Sequence, residues 1–96
     1  MSEVNLLVRV SAEESHIDAL KQEMVKVQGV TQNEPGCIRY QFYQDRKQPQ
    51  MFYVQECYQN KDAFLAHANS EHMAEYLKAT EGMIKSVDMH KVDPVT

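Results

Sequence analysis

The chain has 96 residues, of which 43% are hydrophobic and 25% are charged, with a formal net charge of -4. This composition is typical of one globular domain, which we expect to span residues 1–96. The ten basic residues are scattered rather than clustered, which argues against a nucleic-acid partner because phosphate binding needs concentrated positive charge. No apolar run approaches the ~18 residues of a membrane span, and no secretory signal is visible, so we expect a cytoplasmic protein without membrane contact.

The N-terminal third predicts a strand followed by a helix. Apolar and polar residues alternate over residues 4–10, as in a strand with one buried face. Ser11 and Glu14 have the spacing of a capping box, which predicts that a helix begins there. Apolar residues then recur at helical spacing at Ile17, Leu20, Met24 and Val27. Pro35 and Gly36 predict a turn that stops this helix.

Two strands, about 37–45 and 51–59, are predicted to pair as a hairpin around a polar loop. If Asp45 pairs with Met51, one face carries Ile38, Tyr40, Phe42, Phe52, Val54, Glu56 and Tyr58. The opposite face carries Cys37, Arg39, Gln41, Tyr43, Met51, Tyr53, Gln55 and Cys57. This second face is too apolar for an ordinary solvated surface, which predicts that it packs against a second sheet in a symmetric homodimer.

The two cysteines, Cys37 and Cys57, are expected to remain free thiols. They are too few for a disulfide scaffold, and no C-x-x-C pair suggests a redox or zinc site. In the assumed register Cys57 faces Arg39, which leaves Cys37 diagonally across the hairpin at roughly 7 Å, near the limit for a disulfide. A cytoplasmic setting also opposes oxidation.

The C-terminal part predicts two short helices and a last strand. Asn60 caps a helix over about 61–69, and Ser70 caps another over about 71–82 that Gly82 ends. The last strand runs over about 84–92. The order β-α-β-β-α-β predicts an α+β fold of the ferredoxin-like kind, a four-stranded antiparallel sheet with helices on one face.

Glu56 is a candidate functional residue because it lies mid-strand on the face that packs beneath the helices. A buried carboxylate needs a partner, or its pKa rises until it is neutral. Glu56 is then either a base or an orienting group for an imidazole, or a structural residue in a salt bridge or at a helix N-terminus. The sequence leaves both interpretations open.

His67 is the candidate proton acceptor. A lone histidine is more often structural, but Glu56 and Tyr58 lie on the strand immediately before it, and an ordinary imidazole pKa of ~6.5 suits proton transfer at neutral pH. His72 follows five residues later, and Ser70 restarts the helix between them. We therefore do not expect the two histidines to share a helical face or to bind a metal together. No glycine-rich phosphate loop, nucleophile elbow or metal-ligand cluster is visible, which favours chemistry without a nucleotide or metal cofactor.

The predicted strand alternation and the short loop after Tyr58 place these residues around one pocket, between the sheet and the two short helices. His67 and Glu56 are the predicted catalytic residues. The predicted substrate-binding residues are Tyr40, Phe42, Tyr58, Phe64 and Met73.

Four segments, taken in order and spacing, resemble the antibiotic biosynthesis monooxygenase family. They read Glu34-Pro35-Gly36-Cys37-Ile38-Arg39-Tyr40, then Phe52-Tyr53-Val54-Gln55-Glu56, then Ala66-His67, then Ser70-Glu71-His72-Met73. The resemblance implies a small dimeric α+β barrel that oxygenates phenolic or quinol-type substrates with O2 and without flavin or metal. It also implies that a pocket base deprotonates the substrate and that the resulting anion reduces O2 directly.

The chain departs from known branches of this family at two positions. Tyr58 stands where many members carry tryptophan, and Leu77 stands where the haem-degrading branch would carry a histidine, which disfavours haem degradation. Two alternatives to a quinol monooxygenase stay open. One is an isomerase of a small phosphorylated signal molecule, and the other is a non-catalytic dimer that binds a small aromatic ligand.

Overall fold

A computed structural model describes residues 3–96 of the chain. Strand β1 (Val4–Ala12) leads through a 3-10 turn (Glu14–His16) into helix α1 (Ile17–Thr31). The hairpin of β2 (Cys37–Gln44) and β3 (Met51–Tyr58) follows, and then come α2 (Lys61–Ala68), α3 (Glu71–Ala79) and β4 (Ile84–Val92). No helix formed by residues 3–96 is long and apolar enough to cross a membrane.

The four strands form one antiparallel sheet in the order β2-β3-β1-β4. The helices cover one face of this sheet, where strand side chains pack against the apolar side of α1. The main core residues are Leu6, Val8, Val10, Leu20, Met24, Val27, Tyr40, Phe52, Val54, Tyr58 and Tyr76. This arrangement confirms the predicted ferredoxin-like α+β fold.

The predicted caps of the two short helices are confirmed. The Asn60 side chain accepts a hydrogen bond from the Ala63 N–H at 2.8 Å, and the Ser70 hydroxyl accepts one from the Met73 N–H at 3.2 Å. Each cap satisfies a backbone donor that the first helical turn leaves unpaired. Helix α3 ends at Ala79, before the predicted end, and Gly82 follows in a turn with φ of 79°.

The predicted capping box at the start of α1 is wrong. Ser11 belongs to β1, where it pairs with Met51 on one side and Ser86 on the other. Strand β1 continues to Ala12, whose N–H donates to the Gln50 carbonyl at 2.8 Å. Sheet pairing on both sides of β1 therefore outweighs the local capping signal at Ser11.

A β-bulge at Ile38 changes the predicted faces of the hairpin. Cys37 lies opposite Tyr58 and Arg39 lies opposite Cys57, so Ile38 has no partner in the register. The extra residue reverses which face of the sheet the side chains before it lie on. Ile38 is therefore 53% exposed, and Cys37 packs against the core. The predictions that Ile38 faces the core and that Cys37 shares the open face with Cys57 are therefore wrong.

Candidate functional site

The candidate site lies where α2 and α3 cross the sheet over β2 and β3. Helix α2 returns over the sheet at once because only two residues separate it from β3. The Gln59 N–H donates to the Gly36 carbonyl at 2.9 Å and so ties this connection to the turn before β2. The Ser70 hydroxyl donates to the His67 carbonyl at 2.7 Å. These bonds place the last turn of α2 above β2 and β3.

His67 is buried between two tyrosine rings. Its side chain lies 5.2 Å from the ring centroid of Tyr40 and 5.3 Å from that of Tyr58, and the residue is only 3% exposed. Phe64 packs on Tyr58 at 5.5 Å, and Phe42 packs edge-on to Tyr40 at 5.4 Å. The structure thus brings five of the predicted site residues into one aromatic cluster.

Glu56 and Met73 complete the predicted set in different ways. Glu56 is buried and accepts a hydrogen bond from the Tyr58 hydroxyl at 2.6 Å. Met73 is partly buried and packs against the core. Burial raises the pKa of Glu56, and the hydrogen bond from Tyr58 and the charge of nearby His67 oppose this shift only in part. Burial, followed by the bond to Glu56, also raises the pKa of Tyr58, which keeps its phenol protonated.

Glu34 is the carboxylate that contacts His67, and the sequence interpretation missed it. Its Oε2 atom lies 3.0 Å from Nδ1 of His67. A carboxylate oxygen only accepts, so Nδ1 carries the proton and donates it to Glu34. That tautomer leaves a lone pair on Nε2 of His67, which can accept a proton. The sequence feature that could have indicated Glu34 is its position directly before the Pro35-Gly36 turn, against which α2 packs.

His72 joins the same carboxylate. Its Nε2 atom is hydrogen-bonded to Oε2 of Glu34, the oxygen that also contacts His67. The two imidazole centroids are 6.0 Å apart. The sequence correctly predicted that the two histidines lie on separate helices, but it did not predict that both imidazoles would meet at Glu34. His67 lies in the last turn of α2 and His72 in the first turn of α3.

The two histidines and Glu34 are also the residues that could hold a metal ion. Their nitrogen and oxygen donor atoms all lie within 4.8 Å of one another. Within residues 3–96, this is the only group of three or more such side chains found so close together.

The fold and family of the chain are visible in comparisons with known proteins. A family model described as antibiotic biosynthesis monooxygenase matches residues 4–79. The PA3566 protein of Pseudomonas aeruginosa has a TM-score of 0.94 at 24% identity, with 100% of this chain and 97% of that chain covered. The Rv0793 protein of Mycobacterium tuberculosis has a TM-score of 0.90 at 21% identity, with 99% and 97% covered. The comparison with curated proteins finds no significant match.

A third solved structure, named as an antibiotic biosynthesis monooxygenase, has a TM-score of 0.90 at 19% identity, with 97% of this chain and 99% of that chain covered. At such identities the structural likeness establishes the fold alone. The matched family model, in contrast, extends from β1 to the end of α3 and includes the whole candidate site. The chain belongs to the antibiotic biosynthesis monooxygenase family.

Proposed function

We propose that this protein is a cofactor-independent monooxygenase that oxidises a small quinol or polyphenol with O2. The observation that carries the proposal is the buried His67 imidazole, which is oriented by Glu34 and lies between the rings of Tyr40 and Tyr58. An oriented imidazole with a free Nε2 is suited to take a phenolic proton. The surrounding aromatic rings suit a flat, electron-rich substrate. Family membership supports the same reaction class.

The proposed reaction begins when a substrate hydroxyl gives its proton to Nε2 of His67. The phenolate then passes electrons to O2, and a C–O bond forms to give a hydroperoxide. Return of the proton from His67 assists O–O cleavage, so one oxygen atom stays in a hydroxyquinone and the other leaves as water. A quinol supplies all four electrons that O2 accepts, so no external reductant is needed. The ionised form of Glu56 attracts the imidazolium and so favours the first step.

A substrate can reach His67 only if the side chains that bury this residue move. A side chain that is 3% exposed cannot contact a substrate until a neighbour moves. The predicted binding residues Phe64 and Met73 lie on α2 and α3, the helices that cover His67. We therefore propose that the Phe64 and Met73 side chains move aside when substrate binds, which leaves His67 in contact with Glu34.

The test is oxygen uptake by chelator-treated protein with a panel of quinols and polyphenols. His67→Ala should lower turnover by ~10²–10⁴-fold while the protein stays folded, because general-base catalysis contributes about that factor. Glu56→Gln should lower it less, since this residue acts on His67 through its charge. His16→Ala is the matched control and should leave turnover unchanged, because His16 lies in the exposed 3-10 turn.

Two results would contradict the proposal. Full activity of His67→Ala on a substrate that the parent turns over would exclude His67 as the base. Turnover of a phosphorylated substrate without oxygen uptake would identify the protein as an isomerase instead.

We also propose that the working unit is a homodimer formed through the sheet face opposite the helices. This open face displays Leu7, Tyr43 and Tyr53 around a groove of about 450 Å³. Large apolar side chains collected on one face are typical of a protein–protein contact.

A further inference from the structure

We propose that Glu34, His67 and His72 form a binding site for a divalent transition metal ion, here called the Glu-His-His site. Its three side chains come from the turn before β2, from α2 and from α3. The proposal rests on their geometry and donor chemistry, and it holds whether or not the protein is a monooxygenase.

The geometry of the site suits one metal ion. Nδ1 of His67 and Nε2 of His72 both point at the same oxygen of Glu34, and all three donor atoms lie within 4.8 Å. A metal with bonds of about 2.1 Å to nitrogen and oxygen holds its ligand atoms ~3.0–3.4 Å apart. Small rotations of the two rings and the carboxylate therefore suffice to place a cation where the two N–H protons now lie.

The donor set selects the kind of metal. Two imidazoles and one carboxylate are ligands of catalytic zinc and of the facial triads that bind iron, and both leave coordination positions open. Calcium and magnesium prefer sites made of oxygen atoms alone. We therefore expect Zn²⁺, Co²⁺, Ni²⁺ or Fe²⁺ to bind and Mg²⁺ not to compete.

The burial of the site also favours a metal. The His67 side chain is 4% exposed, whereas those of Glu34 and His72 are 15% and 21% exposed, so the site is dry on one side and open on the other. His72 lines a groove of about 240 Å³ together with Glu23, Glu75 and Lys26. The two carboxylates outnumber the one ammonium group there, and this excess of negative charge favours the entry of a cation.

Metal binding has a consequence for His67, and this part rests on the proposed function. Without metal, Nδ1 of His67 carries the proton and Nε2 can accept one from a substrate. A metal on Nδ1 displaces that proton, so the neutral ring must carry its proton on Nε2. The loaded protein then has no free lone pair on His67. Metal occupancy and proton acceptance at His67 are therefore mutually exclusive, and metal ions should inhibit turnover.

The binding test needs no substrate. Chelator-stripped protein is titrated with Co²⁺ and followed by its visible absorption, and with Zn²⁺ by calorimetry. We expect one ion per chain. His72→Ala and Glu34→Gln should each weaken binding by more than the ~10–100-fold that loss of a mere supporting residue costs. His16→Ala is the matched control and should bind like the parent, since it removes a histidine outside the site. Circular dichroism confirms that each variant is folded, and His72→Gln replaces His72→Ala if that variant is not.

The outcomes separate the site from the reaction. Absence of binding in the parent, or equal binding by the parent, His72→Ala and Glu34→Gln, would overturn the proposed site. Zn²⁺ that binds through these residues and abolishes oxygen uptake would support both parts. If Zn²⁺ binds through these residues but leaves oxygen uptake unchanged, the metal site is supported, and the claim that a metal-bound His67 cannot accept a proton is overturned.

Discussion

At the scale of single residues, the site contains two carboxylates in different environments. Glu34 is partly exposed, and its carboxylate is hydrogen-bonded to two imidazoles, which stabilise its negative charge. Glu56 lies in the buried layer, with the Tyr58 hydroxyl as its hydrogen-bond donor. Burial raises the pKa of Glu56, and the charge of Glu34 adds to that shift. Glu34 is therefore suited to orient the imidazoles, while Glu56 makes the folded state sensitive to pH.

The raised pKa of Glu56 predicts how stability changes with pH. The folded state holds the proton on Glu56 more tightly than the unfolded state does. The contribution of Glu56 to the free energy of unfolding is therefore complete below the unfolded pKa of ~4.3 and is lost as pH rises through the folded pKa. A glutamine side chain cannot ionise, so Glu56→Gln removes this pH-dependent loss of stability, and the glutamine carbonyl can still accept the hydrogen bond from Tyr58. The variant should therefore gain stability relative to the parent as pH rises from about 4 to about 8.

Urea unfolding of both proteins at each pH measures this effect, at one fixed protein concentration because an oligomer's stability depends on it. Titrating groups that do not interact with Glu56 cancel in the difference, so the measured change reports Glu56 together with the neighbours to which it is coupled. A difference in unfolding free energy that does not change with pH would show that burial of Glu56 does not perturb its ionisation.

At the scale of elements, the turn before β2 positions both the Glu34 carboxylate and the helix that carries His67. Gly36 lies against α2 so closely that a Cβ added there would overlap the Cβ of Ala63. Gly36 also accepts the hydrogen bond from Gln59 that fixes the β3–α2 connection. Glu34 lies two residues before this glycine and His67 lies one helical turn beyond Ala63. The close approach at Gly36 therefore sets the distance between the carboxylate and the imidazole.

We expect Gly36→Ala to destabilise the protein by ~1–3 kcal/mol, the usual cost of forcing extra atoms into a packed contact. Ala63→Gly alone should cost about 1 kcal/mol, because glycine is unfavourable within a helix. The double variant should be more stable than the sum of the two single effects predicts, because removing the Ala63 methyl makes room for the new one. Urea unfolding of the four proteins gives this coupling energy. Purely additive effects would mean that Gly36 and α2 are not in close contact.

At the scale of the whole molecule, no helix formed by residues 3–96 packs on one of the two faces of the sheet. The helices pack on the other face, and Leu7 and Tyr43 on the open face are 50% and 46% exposed. An isolated sheet of this kind leaves apolar side chains in water that a second copy would bury. The proposed homodimer would place the two sheets face to face and the two candidate sites on the outer sides.

Light scattering at micromolar concentration should therefore give the mass of a dimer. Tyr53→Lys should produce monomers, because it places a charge in the middle of an obligate interface that typically buries ~2,000 Å² or more. Val25→Lys is the matched control: Val25 is exposed on α1, on the helical side, and its replacement should leave the dimer intact. A monomer mass for the parent, or equal dissociation of the two variants, would contradict this arrangement.

Local signals along the sequence determined the fold. Alternation predicted strands, Asn60 and Ser70 predicted the helix starts, and the order of elements predicted the sheet with helices on one face. Each of these rules acts between residues a few positions apart, so it can be applied without knowledge of the rest of the chain. The segments from Glu34 to Met73 likewise pointed to the family, because their order and spacing are visible in the sequence itself.

Strand alternation predicted the aromatic side chains around His67, but only the tertiary structure showed which carboxylate contacts this imidazole. Glu34 and His67 are 33 positions apart, and their contact depends on how α2 packs against the turn at Gly36. His67 and His72 lie on either side of the break between α2 and α3, so helical spacing says nothing about the distance between them, and the bulge at Ile38 shifts the strand alternation by one residue. Periodicity assumes an unbroken element, so it fails where an element is interrupted. Both of these interruptions border the candidate site, and the site's geometry therefore had to come from packing between elements.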